Sequence, residues 1–212
     1  MGMMKQRYRA VQDLLGGPTF AGRRHRVAEC AASNEKQARC RDIWSTMIPV
    51  KPAEALARMR DAAALWSVGY ASGADLVDAA CDLLITGHDG PNLSMLAGVH
   101  SRHADEEVPE LLEAALQDVG LDYHSPCSEG GQEAAVRTMA ARVLAGALEP
   151  LDLATWAHTT IGHGTLALAE HLVELDDVYD TLEYTNMTEQ DLNAEILAEA
   201  RRIVGAHPLV EP

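Results

Sequence analysis

Leu168, Leu172, Leu175, Tyr179 and Leu182 follow one another at steps of four, three, four and three residues. On a helix of 3.6 residues per turn that spacing gathers all five on one side, whereas a strand would scatter them over both faces. The same rhythm recurs through most of the chain. Leu56, Met59, Ala63, Trp66 and Tyr70 form a seam along about five turns beginning at Pro52. Leu76, Ala80, Leu83 and Leu84 form another, followed after a turn by Leu93, Leu96 and Ala97. Val108, Leu111, Leu112, Ala115, Leu116 and Val119 precede the stop at Gly120, and Asp122 to Gly131 reads as a loop. A helix from Glu133 buries Val136, Met139, Ala140, Val143 and Leu144, a shorter one covers Leu151 to Ile161, and Leu192, Ile196, Ala200 and Ile203 carry the last to Gly205. The spacing predicts an all-α fold, a compact bundle of about seven or eight helices over residues 52–205.

Punctuation agrees with the periods. Ser72 with Asp75, and Thr188 with Asp191, have the spacing of reciprocal N-terminal caps. Ser72 and Gly73 are expected to end the first helix and open the second. Gly87 suits a helix stop, Pro91 the first turn of the next helix, and Asp89 a cap on it. The stretch Leu76 to Gly98 is therefore expected to be the hub of the bundle. With nine aromatic residues in 212, the core must be filled by Leu, Ala, Val and Met.

Charge divides the chain. Residues 1–50 carry nine Lys or Arg against four acids, and residues 51–212 carry eight against twenty-eight. Residues 1–51, interrupted by Gly16-Gly17-Pro18 and Gly22, read as an irregular basic arm, and 206–212 as a tail. A different reading makes residues 1–46 an upstream extension of the reading frame, with Met47 the true start. Arg23, Arg24, His25 and Arg26 lack the interleaved aromatics of a nucleic-acid surface. The body, as acidic as it is, repels phosphate backbones, which excludes nucleic acid as its partner. No apolar run approaches a membrane span and no leader pattern opens the chain, so a soluble cytoplasmic protein is expected. Cys30, Cys40, Cys81 and Cys127 form no CxxC pair; reduced thiols are expected, with a Cys30–Cys40 disulfide as the alternative.

Two groups of residues have the composition of metal ligands. Leu83-Leu84-Ile85-Thr86-Gly87-His88-Asp89-Gly90 resembles the helix end of an HD-domain metal phosphohydrolase, an all-helical family whose adjacent His and Asp hold a divalent metal. The resemblance spans fewer than ten residues and implies His88 and Asp89 as ligands of an ion that activates water. That family also uses a His on an earlier helix, and the one His upstream is His25. The second group is His158, His163 and His171 with Glu170, Glu174, Asp176 and Asp177. On one continuous helix His158 and His163 would stand about 140° apart, so they can share an ion only where Gly162 breaks the helix. His100 and His103 have ligand-like spacing beside Arg102. There is no HExxH, no Glu-x-x-His, no Walker loop, no GxGxxG and no GxSxG.

The seam that opens this section carries acids on its other side. Glu170, Glu174 and Asp177 are neighbours at helical spacing, with Asp176 and Asp180 beside them and no Lys or Arg on that helix. The expectation is a protein-binding module that docks a basic partner protein through these five carboxylates, as small immunity or antitoxin-like proteins do, without catalysis and without a cofactor. The alternative is an HD-type phosphohydrolase using His88 and Asp89.

Overall fold

Eight α-helices and one 3-10 turn, without a strand, make up residues 51–205, the part of the chain described by the computed structural model. They are α1 (Pro52–Ser67), α2 (Gly73–Ile85), α3 (Pro91–Gly98), α4 (Ala104–Asp118), α5 (Glu129–Leu144), α6 (Pro150–Thr160), α7 (Glu170–Asp180), the 3-10 turn (Leu182–Tyr184) and α8 (Glu189–Gly205). The basic arm, His25, the Cys30–Cys40 alternative, the Met47 start and the tail lie outside the described residues. None of the described helices is long and apolar enough to cross a membrane.

Local chemistry sets the helix starts. The Ser72 hydroxyl accepts the Asp75 N–H at 3.4 Å while the Asp75 carboxylate accepts the Ser72 N–H at 2.8 Å. Thr188 and Asp191 repeat the exchange at 3.2 and 3.0 Å ahead of α8. Each exchange satisfies amides that have no carbonyl partner within the helix.

The helices bury two apolar cores. Met59, Leu76, Leu83, Leu93, Leu96, Leu112 and Leu116 fill the one enclosed by α1 to α4. Met139, Leu153, Leu172, Leu192 and Ile196 fill the one enclosed by α5 to α8, which Leu65 of α1 also enters. Each fully buried Leu or Ile contributes about 1.5–3 kcal/mol of transfer free energy. The expected hub, Leu76 to Gly98, belongs to the first core alone; α1 is the helix that supplies residues to both. A chain with two apolar clusters needs a shared element more than a centre, and periodicity gives no hint of which helix is shared.

Several expected positions are corrected. α1 stops at Ser67 because Gly69, at φ +74°, turns the chain, so Tyr70 lies beyond the helix. Its buried residues are Ala55, Met59, Ala64, Leu65 and Ser67, while Leu56, Ala63 and Trp66 are half-buried. α5 begins four residues before Glu133, capped by Ser128, whose hydroxyl accepts the Gly131 N–H at 3.2 Å. Gly130 and Gly131 look like loop residues but sit in the first turn of α5, where Gly131 allows close approach to α1: a Cβ there would stand 2.6 Å from the Ser67 hydroxyl. Leu144, expected in the core, is 38 % exposed at the end of α5.

Asp89 does not cap α3. The N–H groups of Asn92 and Leu93 donate instead to the carboxylate of Asp118, from the end of α4, at 2.7 and 2.9 Å. The bond from Leu93, aided by the Asn92 side chain and N–H, holds the Asp118 carboxyl below its usual range against the opposing effect of burial. A helix N-terminus carries partial positive charge, so a carboxylate satisfies it equally well from another helix as from the preceding residue.

Gly73 is fitted just as closely. Its N–H donates to Asp105 at 2.8 Å, and a Cβ at this position would lie 2.6 Å from both the carbonyl carbon and oxygen of Ala104. Backbone cannot rotate away as a side chain can. Gly73→Ala is therefore expected to cost about 1–3 kcal/mol, a fall in Tm of about 3–10 °C for a domain of this size. Gly98→Ala, in open space at the end of α3, should leave Tm level or slightly raised. Thermal melts of the two variants check this, and equal Tm values would contradict the backbone contact.

Candidate functional site

α6 ends at Thr160, and Gly162 then takes φ +78°, a left-handed conformation that other residues adopt at a cost. Its N–H reaches back to the Ala157 carbonyl at 3.1 Å and closes the helix. The break re-aims the chain. Instead of standing about 140° apart on one helix, the imidazoles of His158 and His163 meet edge to face with centroids 5.1 Å apart. The condition posed by the sequence, that Gly162 interrupt the helix, is met.

α7 packs along α6 and brings its carboxylates to these rings. His158 Nδ1 lies 2.9 Å from one oxygen of Asp176, and the other oxygen accepts the Thr155 hydroxyl at 2.7 Å. His163 Nδ1 lies 3.1 Å from Glu170, whose second oxygen accepts the Gly164 N–H at 2.6 Å. The remaining nitrogen of His163, Nε2, is 2.9 Å from Asp177, and the other Asp177 oxygen is 3.7 Å from His158 Nδ1. His158, His163 and Asp177 thus each offer a donor atom within 4.8 Å of the others.

Electrostatics follow from these contacts. The hydrogen bond to Glu170, reinforced by the charges of Asp177 and Glu170, raises the His163 pKa above its ordinary 6.5, with desolvation opposing. Glu170 is held below its ordinary 4.5, first by the Gly164 N–H and then by His163. The His163 ring thus lies between two carboxylates, beside a helix that carries no Lys or Arg of its own.

The five acids expected to form a docking face are distributed unequally. Glu174 and Asp177 are more than half exposed and Asp180 is exposed. Glu170 is drawn into the His163 pairing, and Asp176, at 16 % side-chain exposure, turns inward to Thr155 and His158. His171 stays outside the cluster and faces Glu174 at 3.3 Å. Thr155 and Gly164 were not singled out by sequence reasoning. The pair Gly162 and Gly164 flanking His163, both at positive φ, was the available signal for Gly164; nothing marks Thr155 before the register of α6 on α7 is known.

His88 and Asp89 occupy the corner between α2 and α3, with His88 Nδ1 3.3 Å from the Thr86 hydroxyl. Among the described residues, one group of three potential ligands converges, and neither residue belongs to it. The His100 and His103 rings are 6.2 Å apart, and His103 lies 3.8 Å from Glu106.

A pH dependence of stability follows. His163, with its raised folded-state pKa, contributes fully below 6.5, and the contribution is lost as pH rises through that raised value. Glu170, with its lowered pKa, contributes above 4.5 and loses the contribution as pH falls through the lowered value. Both stand in full between 4.5 and 6.5. Glu170→Gln should therefore lower Tm most in that window, with the gap from wild type narrowing at higher pH. Melts of both proteins across the range check it, and a gap that ignores pH would contradict the pairing. No protein-family model, curated protein or solved structure matches the chain, so the site's chemistry rests on these side chains alone.

Proposed function

We propose that the chain is a cytoplasmic protein-binding module that docks a basic protein partner through the acidic surface on and around α7, with no catalysis of its own, in the manner of small immunity or antitoxin-like proteins. The observation that carries this reading is the absence of any Lys or Arg from Val143 to Ala200, where twelve acids accumulate.

Two of the arginines near this span have partners of their own. Arg137 donates to the Ile203 carbonyl at 3.0 Å, where it caps the end of α8, and lies 3.3 Å from Glu133. Arg202 binds Glu199 with bonds of 2.8 and 2.5 Å. In the other half, Arg58 is paired with Asp82. The carboxylates of Glu174, Asp177 and Asp180 are exposed, the first two beside the imidazoles of His171 and His163, on a helix whose opposite side, Leu172, Val173 and Leu175, is anchored in the core. A rigid patch of one sign steers an oppositely charged partner and raises the association rate more than it slows dissociation.

Such steering weakens as salt shortens the screening length from about 30 Å at 0.01 M towards about 8 Å at 0.15 M. The triple variant Glu174→Gln, Asp177→Asn, Asp180→Asn removes three charges, keeps shape and leaves Glu170 on Gly164. Pull-downs from lysate of the source cell should recover a basic protein with wild type and lose it with the variant. The association rate of the recovered protein should fall steeply with salt. Equal recovery on both baits, or none on either, would show that the face is only solvated.

A further inference from the structure

We propose that His158, His163 and Asp177 form a binding site for a divalent transition-metal ion of the zinc class, with water completing its coordination. The inference stands independently of partner docking. Two imidazole nitrogens and a carboxylate oxygen are the donor set of open zinc sites, and imidazole favours zinc and its neighbours over calcium or magnesium, which take oxygen.

Geometry supports the assignment. Donor atoms around a tetrahedral zinc, at about 2.0–2.1 Å from the metal, stand about 3.3 Å from one another. His163 Nε2 and Asp177 are already 2.9 Å apart, and all three donors fall within 4.8 Å, so small side-chain adjustments admit the ion. The second layer is also in place. His163 turns Nδ1 to Glu170, which is pinned by the Gly164 N–H, so that Nε2 is the nitrogen presented to Asp177. The His158 ring is fixed by Asp176, itself anchored by the Thr155 hydroxyl. Metal-bound histidines are oriented by carboxylates in this way, because the partner sets the tautomer and the angle of the ring.

The site's location gives the ion a consequence. His158 lies on α6, His163 in the turn after it and Asp177 on α7, so one ion would tie three segments together. His163 and Asp177 are each about half exposed, leaving an open side for water. His171 and Glu174, half-exposed neighbours of each other, lie outside the group of three.

Titration of chelator-treated full-length chain with zinc chloride by calorimetry tests the proposal, with inductively coupled plasma analysis for stoichiometry. His158→Gln and His163→Gln should each remove one zinc equivalent seen in wild type. Glu170→Ala should retain that equivalent with affinity weaker by about 10–100-fold. His88→Ala should bind as wild type. Cobalt(II) in place of zinc should give ligand-field bands without a thiolate charge-transfer band. Helical circular dichroism confirms folding for each variant, and if His158→Gln does not fold, His163→Gln, on an exposed turn, supplies the comparison. The proposal is overturned if wild type binds no zinc, if both His variants bind as wild type does, if His88→Ala loses the equivalent, or if cobalt(II) shows thiolate ligation.

Discussion

Ser67 and Gly131 cross with no room between them. Ser67 is buried at the end of α1, where its hydroxyl donates to the Ala64 carbonyl at 2.7 Å and its own carbonyl accepts the Cys127 N–H at 2.9 Å. Any side chain on Gly131 would drive into that hydroxyl. Small residues at a crossing let two helix axes approach closely, and here the approach joins the halves of the bundle. α1 lends Ala55 and Met59 to one core and Leu65 to the other. Removing α1 would leave each core open on one side, so neither set of helices is a complete unit by itself.

The functional corner hangs from the second half. With α5 and α8 supporting α6 and α7, the turn at Gly162 sets two imidazoles against a helix rich in carboxylates. Lysine or arginine would neutralise those acids permanently. Histidine does so conditionally, through proton or metal, and leaves Glu174, Asp177 and Asp180 on the surface. The two proposed properties share Asp177 but depend on different chemistry: long-range charge for docking, donor geometry for the ion.

How much of this was legible follows from the range of each interaction. Leu192, Ile196, Ala200 and Ile203 are all fully buried, because an i, i+4 pattern reports its own helix. The Ser72–Asp75 and Thr188–Asp191 caps are local in the same sense. The cap on α3 is not: Asp118 reaches it from 26 residues away, and the nearer Asp89 was an equally reasonable choice before α4 was placed. Gly131 read as loop because glycine weakens a helix, yet packing against Ser67 outweighs propensity there. The seam Leu168 to Leu182 predicted the buried side correctly but overran the helix at both ends, since Leu168 precedes α7 and Leu182 falls in the 3-10 turn. For the site, the histidines, acids and Gly162 were visible, and their assembly was not, because it depends on how α6 lies on α7.

The shared role of α1 is tested most directly by native-state amide hydrogen exchange under increasing denaturant. Amides around Leu83 and Leu112 report the first core, and those around Met139 and Ile196 the second. If α1 completes both, the slowest amides of the two sets open together, with one free energy and one denaturant slope. Two sets with separate opening free energies and slopes would show that each half stands without the other, and would contradict the joint at Ser67 and Gly131.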